Sequence, residues 1–91
     1  MPSKSYWQEV YVGSNRAKDD LKSWFGPMAE GMTPYKAEIL CDIDTDRSKK
    51  IRAFMTDADS KCYRLERTFG SGTFSISRKL LTDHVQENAD G

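Results

Sequence analysis

Three segments in the middle of the chain alternate apolar and polar residues, and short polar stretches separate them. The segments are "YKAEILCDI" at 35–43, "KIRAFMT" at 50–56 and "KCYRLERTF" at 61–69. In the first, one face carries Tyr35, Ala37, Ile39, Cys41 and Ile43. A period of two is that of a strand with one buried face. Because short polar turns join antiparallel neighbours, the three segments predict an antiparallel meander.

Two further elements precede the meander. "SYWQEVYV" at 5–12 alternates in the same way and predicts a strand. The following "GSNRAKDDLKSWFGP" has Ser14 or Asn15 as an N-cap and Gly26 at its end, which predicts a helix. Its apolar stripe at helical spacing consists of Ala17, Leu21, Trp24 and Phe25. The "MAEGMT" that follows predicts a loop.

The C-terminal part contains one more strand and a short helix. "TFSIS" predicts a strand with Phe74 and Ile76 towards the core. From Ser77, a helical spacing predicts a helix over 77–86, with a strand as the alternative. That spacing relates Leu80, Leu81, His84 and Val85.

The predicted fold class is α+β, in one domain spanning 1–91. A largely antiparallel sheet of about five strands, in the order β-α-β-β-β-β-α, has its helices on one face. We expect an ordered core over about 5–86 and a frayed tail at 87–91.

Length and composition agree with one small folded domain. The 91 residues are 37% hydrophobic and 31% charged, and the 11% aromatic share argues against a disordered chain. No stretch approaches the roughly 18 apolar residues that cross a membrane. Cys41 and Cys62 are too few for a disulfide framework, so we expect a cytoplasmic protein; their redox state stays open.

Charge is unevenly distributed along the chain although its net value is zero. Residues 47–79 hold nine cations and three acids, and the remainder holds five cations and eleven acids. Such asymmetry favours charged partners. The alternative is that the segments interleave in space and their fields cancel.

The sequence motifs give little support for a catalytic site or a metal site. In "DIDTDRSKKIR", Asp42, Asp44 and Asp46 match the first ligands of a calcium loop. Arg47 then stands where the loop needs glycine, and Ala53 where it needs glutamate, so the stretch predicts a turn. The only histidine lies on the apolar side of a predicted helix, which favours packing. We therefore expect a protein that is not an enzyme and has no cofactor or metal.

The sheet face opposite the helices is the predicted interaction surface. Aromatic and arginine side chains are enriched where protein interfaces derive most of their energy. The candidate partner-binding residues are Trp7, Lys49, Lys50, Arg52, Phe54, Arg64 and Arg67. We expect a non-enzymatic protein-binding module, an adaptor or inhibitor that blocks a macromolecular partner. Small phage-encoded inhibitors of host machinery share this profile, as do unrelated domains.

Three alternatives remain for this face. In the first, it binds nucleic acid, with the same cations on phosphates and Phe54 stacking on a base. "RTFGSGTF" at 67–74 agrees with an RNA-recognition consensus at four of eight positions, which is weak support. In the second, a homodimer forms through the face. In the third, the face is solvated and carries cross-strand ion pairs such as Arg64 with Glu38.

Overall fold

The part of the chain that the structure describes folds into a five-stranded antiparallel sheet and one α-helix that packs against it. The computed structural model describes residues 4–70 and 75–81. Its elements are β1 (Ser5–Val10), α1 (Asn15–Phe25), β2 (Thr33–Asp42), β3 (Ser48–Thr56), β4 (Cys62–Thr68) and β5 (Ser75–Leu80). The strands lie in the order β1-β2-β3-β4-β5, and all neighbours are antiparallel. The predicted antiparallel sheet and first helix are confirmed.

Both ends of α1 follow from its sequence. Ser14 is the N-cap, and its Oγ accepts a hydrogen bond from the Ala17 N–H at 3.1 Å. Gly26 ends the helix with a φ of +60°, a left-handed conformation that glycine adopts without a steric penalty. Leu21 and Phe25, one turn apart, are buried against the sheet. The amphipathic stripe therefore fixes which side of α1 faces the core.

The segment after α1 contains regular structure, although the sequence predicts a loop there. Gly26–Ala29 forms a 3₁₀ turn, and Ala29 and Met32 are buried. Pro34 at the start of β2 is also fully buried. The segment predicted as a loop thus closes one end of the core beneath the helix.

The core lies between α1 and the helix-facing side of the sheet. Ala37 and Ala53 are direct cross-strand partners on β2 and β3, and both are fully buried. Their small side chains let the helix approach the sheet closely, while larger neighbours fill the remaining space. The buried cluster comprises Leu21, Phe25, Ala29, Met32, Ala37, Ile51, Ala53, Met55 and Leu65.

Asp42 and Tyr6 hold the β2–β3 turn. Asp42 Oδ1 accepts hydrogen bonds from the N–H groups of Asp44 at 2.8 Å and Thr45 at 3.1 Å. These bonds, that from Thr45 foremost, hold the pKa of Asp42 below its ordinary value. The Tyr6 hydroxyl donates to the Asp46 carboxylate, which raises the pKa of Tyr6 to about 12. The carboxylates of Asp42 and Asp46 are therefore hydrogen-bonded within the fold, as is typical of a turn.

Predictions of side-chain placement are wrong at Tyr35 and Ile43, and one prediction of secondary structure is wrong. Ile43 follows the end of β2 and is 50% exposed. Tyr35 lies at a register shift between Pro34 and Lys36, so its side chain does not share the buried face of Ala37. The predicted helix does not begin at Ser77, because Ser75–Leu80 is β5, paired with β4. Residues 82–86 of that predicted helix, the predicted tail and Phe74 lie outside the described residues.

Candidate interaction surface

The sheet face that α1 does not cover carries most of the predicted binding residues. Strand residues alternate between two faces, so the neighbours of the buried residues point away from the helix. We call this surface the open face. It comprises Trp7, Glu9, Lys36, Glu38, Leu40, Lys50, Arg52, Phe54, Arg64, Glu66 and Lys79. Of the predicted set, it brings together Trp7, Lys50, Arg52, Phe54 and Arg64.

Ion pairs neutralise two carboxylates near the middle of the open face. Arg52 Nη2 lies 3.5 Å from Glu38 Oε1 on the neighbouring strand. Glu66 contacts two cations, with Lys50 Nζ at 3.6 Å and Arg64 Nε at 3.4 Å. The suggested pairing of Arg64 with Glu38 is wrong, because Arg64 contacts Glu66 on its own strand.

Trp7 and Arg52 form a stacked pair that spans three strands. The Arg52 Cζ lies 3.9 Å from the centroid of the Trp7 ring, which is within the range of a cation–π contact. Trp7 is on β1 and Arg52 on β3, so the two side chains meet above β2. Trp7 remains 40% exposed. The pair thus leaves an aromatic side chain held in place but accessible.

A second aromatic group surrounds Phe54. The Lys36 Nζ lies 5.6 Å from the Phe54 ring centroid, and the Tyr35 ring centroid lies 6.3 Å from it. The register shift at Tyr35 explains this contact, since the shift turns the side chain away from the core. Tyr35 is 49% exposed and Phe54 is half-buried.

Lys49 and Arg67, both predicted to bind a partner, lie elsewhere. The Lys49 Nζ donates a hydrogen bond to Ser5 Oγ at 3.0 Å, and Lys49 lines a groove of about 730 Å³ at the end of the sheet. Arg67 is on the helix-facing side, where its Nη1 donates to the carbonyl oxygen of Trp24 at 2.8 Å. The guanidinium also lies 5.4 Å from the Trp24 ring and 5.5 Å from that of Phe69. Arg67 therefore joins β4 to α1.

Tyr35 and Lys79 belong to this region although they are absent from the predicted set. The prediction missed Tyr35 because it assumed strict alternation along β2, and a one-residue register shift breaks that alternation. Lys79 was assigned to a helix, but on β5 it lies directly opposite Arg64. A partial signal for Lys79 exists in the sequence, because the apolar Ile76 and Leu80 have the opposite parity to Lys79, although Arg78 interrupts the apolar face.

The described residues show neither a metal-binding cluster nor a membrane-spanning helix. Within 4–70 and 75–81, no cluster of at least three histidine, cysteine, aspartate or glutamate residues is arranged to hold a metal ion. Over those same ranges, no helix has the length and hydropathy needed to cross a bilayer. Comparisons with protein-family models, curated proteins and solved structures found no match.

Proposed function

We propose that this protein is a non-enzymatic binding domain that engages another protein through the open face. The observation that carries this proposal is the layer of exposed Trp7 and half-buried Arg52 and Phe54 on a sheet face that α1 leaves uncovered. Tryptophan, tyrosine and arginine are the residues most enriched among those that dominate interface energies. Tyr35 adds a further exposed aromatic beside Phe54.

Internal contacts already order these side chains. Arg52 is held by both the Trp7 ring and the Glu38 carboxylate, and Phe54 by Lys36 and Tyr35. Immobilising a free side chain on binding costs about 0.5–1.5 kcal/mol, so contacts that restrict it beforehand reduce that cost. This preorganisation favours recognition by a face that keeps its shape.

The size of the open face suits a small interface. Four inter-strand spacings of about 4.8 Å and strands of about 20–30 Å give a projected area of roughly 500 Å². Standard interfaces bury about 800 Å² on each partner, and obligate ones bury more. A domain of this kind acts as an adaptor or inhibitor, by occupying a surface of its partner in a reversible complex.

Paired variants test this function by capture from a native cell lysate. Trp7→Ala/Tyr35→Ala removes the exposed aromatics of the region, and Met28→Ala/Leu80→Ala removes exposed apolar side chains elsewhere. We expect wild type and the control to retain the same proteins, and the Trp7/Tyr35 variant to lose them while its circular dichroism stays native. Equal capture by both variants would overturn the proposal.

A second candidate function is the binding of single-stranded nucleic acid. It is favoured by a line of cross-strand partners in which Lys36, Arg64 and Lys79 accompany Phe54. Against it, Lys36 and Tyr35 already contact the Phe54 ring on which a base would have to stack, and Glu66 already contacts Arg64. Fluorescence anisotropy of labelled DNA and RNA at several salt concentrations tests this function. Micromolar binding that weakens steeply with salt would support it, and no binding at low salt would exclude it.

A further inference from the structure

A line of residues across four strands has the composition of a docking site for an acidic element. Lys36 on β2 is the direct partner of Phe54 on β3, Phe54 of Arg64 on β4, and Arg64 of Lys79 on β5. We call these four residues the basic row. Strands lie about 4.8 Å apart, so the row extends for about 14 Å at nearly even spacing.

The basic row carries positive charge that the neighbouring acids neutralise only at Arg64. Glu38 is paired with Arg52, and Glu66 is shared between Lys50 and Arg64. Among the residues that the structure describes, neither Lys36 nor Lys79 forms an ion pair with a carboxylate. An acidic partner would therefore meet at least two amines whose charge is not already compensated.

The spacing of the row selects the shape of that partner. Residues i, i+3, i+7 and i+10 of an α-helix share one face and lie at about 0, 4.5, 10.5 and 15 Å along its axis. The four positions of the row lie at about 0, 4.8, 9.6 and 14.4 Å. An extended strand presents one face every 6.8 Å or so, which does not match. A helix that crosses the strands fits the row best.

We propose that the partner contacts this protein through an amphipathic helix laid across β2–β5. The helix presents acidic side chains to Lys36, Arg64 and Lys79 and an apolar side chain to Phe54. Glu9 on β1, the direct partner of Glu38 on β2, bounds the site because its carboxylate repels acidic residues on that side of the row. This inference rests on the proposed protein-binding function and specifies the chemistry of its partner.

A designed peptide provides the probe. It is an alanine-rich helix of about five turns with Glu, Leu, Glu and Glu at positions i, i+3, i+7 and i+10. A scrambled peptide of the same composition places these residues on different faces. Isothermal titration calorimetry measures the Kd of each, and amide chemical shifts of ¹⁵N-labelled protein locate the contact.

We expect the designed peptide to bind at least tenfold more tightly than the scrambled one, with shifts centred on the basic row. Lys36→Glu/Lys79→Glu should weaken binding at least tenfold. The control Arg16→Glu/Lys61→Glu makes the same change in net charge at exposed positions outside the open face and should leave binding unchanged. Lys36→Ala/Lys79→Ala introduces no repulsion and should show a smaller loss of affinity. It keeps the test valid if the glutamate variant does not fold.

Other outcomes would separate this inference from the proposed function. Equal binding of the two peptides, or shifts outside the basic row, would overturn the helix model. Tighter binding of a single-stranded oligonucleotide at the same residues would replace it with the nucleic-acid function. If lysate capture requires Trp7 and Tyr35 but tolerates Lys36→Glu/Lys79→Glu, the binding function stands and the acidic helix is excluded.

Discussion

Arg67 on β4 donates a hydrogen bond from Nη1 to the carbonyl oxygen of Trp24, near the C-terminus of α1, at a distance of 2.8 Å. The last four carbonyls of a helix have no partner within it, so a cation there satisfies an acceptor. It also interacts favourably with the negative end of the helix dipole. The guanidinium also lies beside the Trp24 and Phe69 rings, which meet edge to face. A residue expected to bind a partner thus stabilises the contact between helix and sheet.

Arg67→Ala should therefore lower the free energy of unfolding by about 1.5–3 kcal/mol, the usual range for a hydrogen bond to a charged group. Arg64→Ala is the matched control, because Arg64 lies on the same strand but on the open face, where its ion pair contributes about 0–1 kcal/mol. Urea unfolding measures both. Partner binding should show the opposite order, and a larger stability loss for Arg64→Ala would contradict this assignment.

The stacking of Trp7 on Arg52 should appear as an energetic coupling. We expect the cycle of Trp7→Ala, Arg52→Met and the double variant to give a coupling of about 0.5–1 kcal/mol in unfolding free energy. Methionine keeps most of the aliphatic stem, so the cycle isolates the guanidinium as far as possible. Additive losses would mean that the 3.9 Å contact contributes nothing to stability in solution.

Asp57 should make the protein sensitive to acid. Its carboxylate accepts hydrogen bonds from the N–H groups of Lys61 at 3.0 Å and Asp59 at 2.9 Å and from the Tyr63 hydroxyl at 3.1 Å. These bonds, chiefly that from Lys61, lower the pKa of Asp57. The stabilisation is therefore fully present above the unfolded pKa of about 3.9 and is lost as pH falls through the folded value.

Asp57→Asn should accordingly reduce the difference in unfolding free energy between pH 6 and pH 2, because the variant has no carboxyl group at this position to titrate. Asp59→Asn is the control at the same turn, since its side chain supplies none of these acceptor atoms. Urea titrations across that range measure the difference. An unchanged pH dependence in the Asp57 variant would show that another group governs the acid response.

Ser60 offers a position where glycine should stabilise the fold. Its φ of +67° is in the left-handed region, which costs an L-residue about 1–2 kcal/mol. The backbone bond from its N–H to the Asp57 carbonyl does not need the side chain. Ser60→Gly should raise the free energy of unfolding by up to about 1 kcal/mol after the entropy cost of glycine.

The control for that substitution is Ser48→Gly in β3, where the backbone is in a strand and glycine should destabilise by about 0.5–1 kcal/mol. Thermal and urea unfolding of the two variants give the comparison. Destabilisation by both would indicate that the Ser60 side chain has a role that outweighs its backbone strain.

Local patterns were sufficient for much of this architecture. Apolar and polar residues alternate in the strand segments from Ala37 to Leu65, and this alternation identified the central strands and their buried faces. Burial of one side of a strand imposes a period of two. The N-cap at Ser14 and the spacing of Leu21 and Phe25 located α1 and its packed side. These features are encoded within a few residues of one another, so a sequence reveals them directly.

Contacts between distant segments decided the rest. Ser77 and Lys79 lie in a strand because β4 offers a row of backbone groups to pair with, and the Leu81 N–H continues this pairing to the Cys62 carbonyl at 2.9 Å. Tyr35 reaches the Phe54 ring through a register shift, and Arg67 reaches Trp24 across 43 residues of chain. The sequence alone determined periodicity and capping. Strand pairing and the contacts of each long polar side chain depended on partners that only the folded chain brings together. The physical reason is that the free energy of a hydrogen bond depends on both its donor and its acceptor.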